Sequence, residues 1–414
     1  MADNKQPFFW GWYVVLGAFL VLAVNYGVRY SFGIFLKPMA EEYGWSRSVI
    51  SLGASFNMLV YSFCSIFIGK MVDRVLPPGR IIMTGALIVS LSLALVAFVA
   101  HPITFYLTYG LLAGIGSSGL GVVICNSSVA KWFHKKRGTA VGLAAMGISG
   151  GTMAVTPLAG YIVKTYGWQT GFLSLAVVTF LIGVVLSRLF FRKTVPEAYG
   201  LFPDGEEKAW NFVEEKVDDQ PAQLSRRVVI RDPQFWLLSF SLSLSYLAIM
   251  SVFVHQVPYA LDHGIGKVAA ASSLAAVSLS AFFGQFFFGW LSDRIRDSKY
   301  AAALGFFMMT CGMFLLLSAQ SIQMLYLFAV VYGFGYGCLA PLTPVLIADR
   351  FGHHALGAVY GLVTFFIGVG GSIGPFWAGY MYDHLGSYSA VWLFNIALLA
   401  AITLAVLLLK TKKN

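Results

Sequence analysis

One arginine stands inside a long apolar run, in the stretch Val24, Asn25, Tyr26, Gly27, Val28, Arg29, Tyr30, Ser31, Phe32, Gly33. The run, residues 10–36, is long enough to cross a bilayer, which takes about 20 residues. A guanidinium in mid-span costs between about 2.5 and 17 kcal/mol, depending on how the cost is measured. A chain tolerates that only where the charge faces a bundle interior or a wet cavity. Arginine stays protonated there, and its planar fork fits a carboxylate through two parallel hydrogen bonds. Arg29 therefore reads as the anchor of an anion site. The alternative is a structural guanidinium bonded to helix-end carbonyls and Asn25.

His255 lies in another apolar run, at about the same depth from its outer end as Arg29. Histidine is the side chain that titrates near neutrality. His255 is thus a candidate for carrying a coupling proton, for hydrogen-bonding substrate, or for a plain interhelical hydrogen bond. Asn126, Gln285, Tyr332 and Tyr336 are neutral polar residues in spans and are the remaining candidates for lining a substrate site. Asn25, Tyr26, Tyr30, Asn57 and Tyr61 are further ones. Tyr30 neighbours Arg29 and so lies about 100° around the helix from it. Helix–helix hydrogen bonding is the competing role for each of these.

What is missing narrows the chemistry. None of the 18 carboxylates lies deep in a span. A pocket for organic cations needs a buried acid, because an unpaired buried charge is costly. No phosphate-binding Gly-x-x-x-x-Gly-Lys-Ser/Thr loop occurs, so ATP is not the energy source. No metal-ligand cluster, nucleophile constellation or cofactor motif stands out. The sequence therefore implies no enzyme, metal or cofactor.

Long apolar spans must position these residues. Of 414 residues, 58% are hydrophobic and 11% charged, against about 25% charged in soluble domains. Mean hydropathy is +0.75. Twelve spans are expected, at 10–36, 48–69, 81–100, 103–130, 138–163, 168–190, 234–261, 267–291, 300–318, 322–347, 356–381 and 388–409. Glycine pairs four apart let such helices approach closely. The four cysteines all fall within spans and read as small packing residues. No secretory signal is recognisable at the N-terminus, where the first apolar stretch is too long and lacks a cleavage site.

The net charge of +10 is a topology signal and not a nucleic-acid footprint. With the N-terminus inside, every Lys and Arg except Arg29 and the outer Lys37, Arg47, Lys164 and Lys267 falls on the inner side. Both termini are thus expected in the cytoplasm. A polar stretch at 192–233 separates six spans (1–191) from six (234–414) and reads as a cytoplasmic linker, with a short amphipathic helix around 206–217. The two sixes repeat each other. Gly69-x-x-x-Asp73-Arg74 ends span 2, and Gly289-x-x-x-Asp293-Arg294 ends span 8. Gly142-Leu143 precedes Gly160-Tyr161 just as Gly361-Leu362 precedes Gly379-Tyr380. A parallel repeat of six spans marks a rocking transporter with its site between the halves.

With these loops the chain resembles the major facilitator superfamily over nearly its whole length. The resemblance implies an all-α membrane protein of twelve helices in two pseudo-symmetric six-helix bundles. It also implies a gating cluster at Asp73, Arg74, Arg137, Asp293 and Arg294. Within that superfamily four stretches resemble the monocarboxylate transporter and oxalate–formate antiporter branch. They are 27–33 in span 1, Trp132-Phe133 with 135–138, Pro196–Gly205 opening the linker, and Arg231–Trp236 entering span 7. That branch usually sets an arginine in span 8, with an aspartate one turn earlier in animal members. Here those positions are Gln285 and Ala281, span 11 has no Lys or Arg, and the cation stands in span 1.

The expected function is transport of a small monocarboxylate of the lactate or pyruvate kind by alternating access. Proton symport is the expected mode, with Arg29 holding the anion and His255 the proton. An anion carried with a proton avoids the membrane-potential term of about 2.3 kcal/mol per charge per 100 mV. If His255 only hydrogen-bonds, anion exchange of the oxalate–formate type takes its place. Export of neutral amphipathic compounds is the further alternative. The expected setting is the plasma or inner membrane, as a multi-pass monomer whose partners are the small carboxylate, the proton and the lipid.

Overall fold

In lipid every backbone polar group must be satisfied within the chain, so long apolar runs fold as helices. The computed structural model describes residues 9–45, 47–74, 76–192, 203–205, 226–352 and 356–410. Among them are twelve helical segments long and apolar enough to cross a membrane. They are α1 (Gly11–Leu36), α2 (Leu52–Asp73), α3 (Pro78–Val96), α4 (Pro102–Trp132), α5 (Arg137–Tyr166) and α6 (Trp168–Phe190), followed by α7 (Pro233–Asp262), α8 (Ser272–Arg294), α9 (Ser298–Leu317), α10 (Ile322–Phe351), α11 (Leu356–Tyr382) and α12 (Ser389–Leu407). The described residues contain no strand. The helix expected at 206–217 lies outside the described residues.

The packing repeats. In the first six helices α1 packs on α5, α2 on α4 and α3 on α6. In the second six, α7 packs on α11, α8 on α10 and α9 on α12. The main contacts between the sixes are also paired, α2 with α11 and α5 with α8. These joints rest on facing glycines. A side chain on Gly69 would strike the Gly357 carbonyl, and one on Gly138 would strike that of Gly289. Small residues here let the backbones touch, which is how helices associate where lipid offers no hydrophobic drive.

Within each six, the start of the third helix is tied to the end of the sixth. Gly79 near the start of α3 bonds Phe191 at the end of α6. Lys299 at the start of α9 donates its Nζ to the Leu409 carbonyl, 2.7 Å away.

Three helices break where they meet the interior. In α1 the helix pauses at Ser31, whose hydroxyl donates to the Gly27 carbonyl at 2.6 Å. In α4 a π-helical stretch, Tyr106–Leu112, is followed by a break at 119–121. In α10 the helix breaks at 337–338. α4 and α10 hold equivalent places in the two halves. Broken helices of this kind are tolerated where the irregular backbone lines a cavity.

Candidate functional site

A cavity of about 100 Å³ lies between the halves. One water needs roughly 15 Å³ of such space, so this one holds several waters or a small organic molecule. Both halves wall it. Tyr26, Arg29, Tyr30 and Tyr61 come from α1 and α2. Tyr246, Gln285, Tyr336, Tyr360 and Thr364 come from α7, α8, α10 and α11. The breaks in α4 and α10 bring Val122, Leu339 and Ala340 to its wall.

Arg29 stands on the last turn of the first part of α1, just before the pause at Ser31. Its guanidinium carbon lies 4.3 Å from the centre of the Tyr61 ring and 6.0 Å from that of Tyr26. Among the described residues no carboxylate pairs with it. The Tyr26 and Tyr61 hydroxyls are 3.3 Å apart and bond each other. Stacking occupies the face of a guanidinium and leaves its N–H edge free for a planar anion. Tyr30 also lines the cavity and is 45% exposed, so the two neighbours both reach it despite their angular separation.

The other expected site residues divide. Gln285 and Tyr336 line the cavity with Arg29. Asn126 does not: it is fully buried in α4, and its Nδ2 donates to the Ala340 carbonyl at 3.2 Å and to the Tyr360 hydroxyl at 3.3 Å. It ties the halves together beside the cavity. Tyr332 does not either, being packed in the second half with its ring stem against Gly312 of α9. Asn25 and Asn57 bond the carbonyls of Ser117 and Tyr109 within the first half.

His255 stands apart from these residues. It lies between α7, α11 and the start of α12, outside the cavity lining. Its Nε2 is 3.0 Å from the Pro375 carbonyl and its Nδ1 is 3.0 Å from the Tyr388 hydroxyl. A carbonyl only accepts, so Nε2 donates in that bond. The reason is helical azimuth. Tyr246 and Met250 of α7 face the cavity, and His255 lies about 140° around the helix from Met250. Equal depth in equivalent helices did not mean equal facing.

The expected gating residues cluster on the joint face. Asp73 accepts from the backbone N–H of Gly357 at 3.1 Å and of Ala358 at 2.7 Å, at the start of α11. Asp293 accepts from the N–H of Gly138 and of Thr139, both at 2.7 Å, and from the Thr139 hydroxyl at 2.6 Å, at the start of α5. Each carboxylate thus caps a helix of the opposite half. Arg137 is buried, donates to the Phe133 carbonyl at 3.2 Å, and lies in the field of Asp349, Asp293 and Asp204. Arg294 is exposed and stacks on Trp290 at 4.4 Å. The side chain of Arg74 lies outside the described residues.

Three further residues were not read as site residues in the sequence. Lys131 lies 4.0 Å from Asp73 and bonds the Val72 carbonyl. Arg350 pairs with Asp297 at 2.8 Å on the same face. Asp204, within the 196–205 stretch, accepts from the backbone N–H groups of His134, Lys135 and Lys136 at 2.8, 2.8 and 3.3 Å. It closes the loop that leads into α5.

The family model described as the Major Facilitator Superfamily matches residues 18–375 and 257–414. The chain is similar to Monocarboxylate transporter 13 of Rattus norvegicus, 28% identical over 394 residues, covering 95% of this chain and 87% of that protein. It is similar to Monocarboxylate transporter 12 of Rattus norvegicus, 27% identical, covering 93% and 82%. It is also similar to human Monocarboxylate transporter 11, 24% identical, covering 94% and 81%. Among solved structures it resembles the proton:xylose symporter XylE, with a TM-score of 0.79, 13% identity, and coverage of 98% of this chain and 97% of that one. It also resembles FucP in the outward conformation, with a TM-score of 0.71, 16% identity, and coverage of 97% and 100%. These are transporters, not enzymes, and the two structures show the fold.

Proposed function

The chain belongs to the Major Facilitator Superfamily, and on that premise we propose that it carries organic monocarboxylates across a membrane by alternating access. The observation that carries this reading is Arg29, a guanidinium without an acidic partner among the described residues, in a cavity between the two halves. Similarity to proteins named monocarboxylate transporters supports the substrate class. The Lys/Arg bias puts both termini, and the joint face with them, in the cytoplasm. The joints are then a closed inner gate with Asp73 and Asp293 as its latches. The protein works as a multi-pass monomer of the plasma or inner membrane.

Exchange of one anion for another fits this geometry better than proton symport. Symport needs a titrating group on the path. The cavity lining includes no Asp, Glu or His among the described residues, and both ring nitrogens of His255 are occupied elsewhere. An empty carrier must occlude Arg29 as a bare charge, whereas a loaded one occludes a neutral pair. Buried unpaired charge is the costly state, so the loaded form crosses more readily.

The test is counterflow in proteoliposomes, with thermal shift on the purified protein. Wild type preloaded with a monocarboxylate takes up labelled monocarboxylate, and Arg29→Gln does not while melting within a few degrees of wild type. Equal counterflow by Arg29→Gln would overturn the carboxylate reading.

A further inference from the structure

The cavity is divided by function between the halves. The first half supplies the charge, and its nearest hydroxyls, Tyr26 and Tyr61, bond each other. The second half supplies polar groups that are buried yet uncommitted. Gln285 is 2% exposed, and its Oε1 has no hydrogen-bond partner. Thr364 is 4% exposed, and its Oγ1 has none either. Both residues line the cavity. Two of their polar neighbours there are engaged: the Thr343 hydroxyl donates to the Leu339 carbonyl at 2.6 Å, and the Tyr360 hydroxyl accepts from Asn126. A buried polar group left unpaired costs about 1–3 kcal/mol, and most such groups in folded proteins are satisfied by something. The lining also includes the apolar side chains of Met58, Val122, Ile148, Met250, Leu339 and Ile367.

We propose that the substrate bridges the halves, with its carboxylate on Arg29, an apolar body across the middle, and a distal hydroxyl or amide on Gln285 and Thr364. This rests on the carboxylate reading above and narrows it to amphipathic acids longer than lactate or pyruvate. A hydroxyaryl alkanoate has the required chemistry: an anion, a flat apolar body for the aliphatic and thioether wall, and an O–H that donates to the Gln285 amide oxygen and accepts from Thr364. An acid of two or three carbons on Arg29 leaves the second half unaddressed. A bridging acid contacts both rigid bodies at once, so its affinity depends on how they sit. That dependence is what lets a ligand bias a conformational equilibrium.

The experiment measures dissociation constants on the full-length purified protein by calorimetry. The probes are lactate, gluconate, phenylacetate and 4-hydroxyphenylacetate, tested on wild type, Arg29→Gln, Gln285→Met and Thr364→Val. Wild type is expected to bind 4-hydroxyphenylacetate about tenfold tighter than phenylacetate, the worth of roughly one good hydrogen bond. It binds phenylacetate tighter than lactate or gluconate. Gln285→Met and Thr364→Val each shrink the ratio between the two aryl acids, and either variant suffices if the other fails to fold. Lactate binding as tightly as 4-hydroxyphenylacetate, or gluconate binding tightest, overturns the bridge while leaving an Arg29-dependent carboxylate carrier in place. A wild-type ratio of one between the aryl acids also overturns it, and shows that water serves the two buried groups. Binding of every probe unchanged by Arg29→Gln overturns the carboxylate reading itself.

Discussion

Arg29 is held by π-electrons where most buried guanidinium groups are held by an acid. Stacking on Tyr61 at 4.3 Å contributes on the order of 0.5–2 kcal/mol, much less than a buried ion pair's attraction. The site is therefore poised to gain from an incoming anion. Lysine keeps the charge but loses the fork and the stacking face. Arg29→Lys is expected to weaken carboxylate binding by about ten- to a hundredfold, a loss of roughly 1.4–2.8 kcal/mol, measured by calorimetry. His255 behaves differently. Its bonds to Tyr388 and Pro375 fasten α7 to α11 and α12. His255→Phe is expected to lower stability by about 1–3 kcal/mol, because it removes the bonds to Tyr388 and Pro375. The pH dependence of counterflow stays as in wild type. A flattened pH profile in that variant would return His255 to proton handling.

The same two residues show what a membrane sequence discloses at this scale. A charge in an apolar run announces itself, so Arg29 was legible. Depth was legible too. Facing was not, because a helix sheathed in lipid on one side and in other apolar helices on the rest has little amphipathic contrast. The placement of His255 and Tyr332 away from this cavity was therefore not legible. Tyr246, Tyr360, Met58 and Thr364 look in sequence like any other span residues and were missed. Gln285 was found by its alignment with a charged position of relatives, not by any pattern of its own.

At the scale of elements two carboxylates join the halves by capping helices they do not belong to. The N–H groups at the start of α5 and α11 have no partner within their own helix. Asp293 and Asp73 satisfy them from across the interface, in a position that also suits the helix dipole. Capping by a side chain is worth about 0.5–2 kcal/mol. Asp73→Asn and Asp293→Asn are each expected to weaken the closed joint by about 1 kcal/mol, and the pair more than either. Spin labels at the exposed positions 135 and 296, on loops of opposite halves, read this as a longer mean distance. An unchanged distance distribution in the double variant would remove the latch. The repeated motif told the sequence reader that these loops matter. It did not tell that the acceptors are backbone amides, since every residue has one.

Asp204 extends the same device into the linker. One carboxylate gathers three successive N–H groups at 134–136, and its backbone takes the left-handed conformation, φ 62°. The loop it closes hands Arg137, Gly138 and Thr139 to the joint with α8. In Asp204→Asn the charge-assisted bonds are lost, each about twice as strong as a neutral one. Amide exchange at 134–139 is expected to speed up about tenfold, which corresponds to roughly 1.4 kcal/mol of local opening. Unaltered exchange there would mean the turn is held by other contacts. The 196–205 stretch was recognisable in sequence only as a mark of kinship, and its mechanical role comes from where the chain folds back.

At the scale of the whole molecule, on the monocarboxylate-exchange reading proposed above, one charge decides the transport mode. Both halves must close over the cavity at some point in each cycle. With a monocarboxylate aboard, Arg29 and its guest sum to zero, and the occluded state moves no net charge. Empty, the occluded cavity holds an unpaired guanidinium, with Tyr61 its closest support. Desolvating an uncompensated charge costs several kcal/mol after relaxation, and each 1.4 kcal/mol is a factor of ten in rate. The empty return is therefore the slow step. Efflux of labelled substrate into buffer with no acid outside is expected to be at least about tenfold slower than efflux into saturating unlabelled acid. Because the loaded step is neutral, exchange is insensitive to an imposed potential. Net efflux responds to it, since the returning carrier bears the charge. Equal rates with and without outside acid would show that the empty carrier returns freely, and that Arg29 finds a counter-charge when its guest has gone. Proton coupling would then have to be sought at that counter-charge and not at His255.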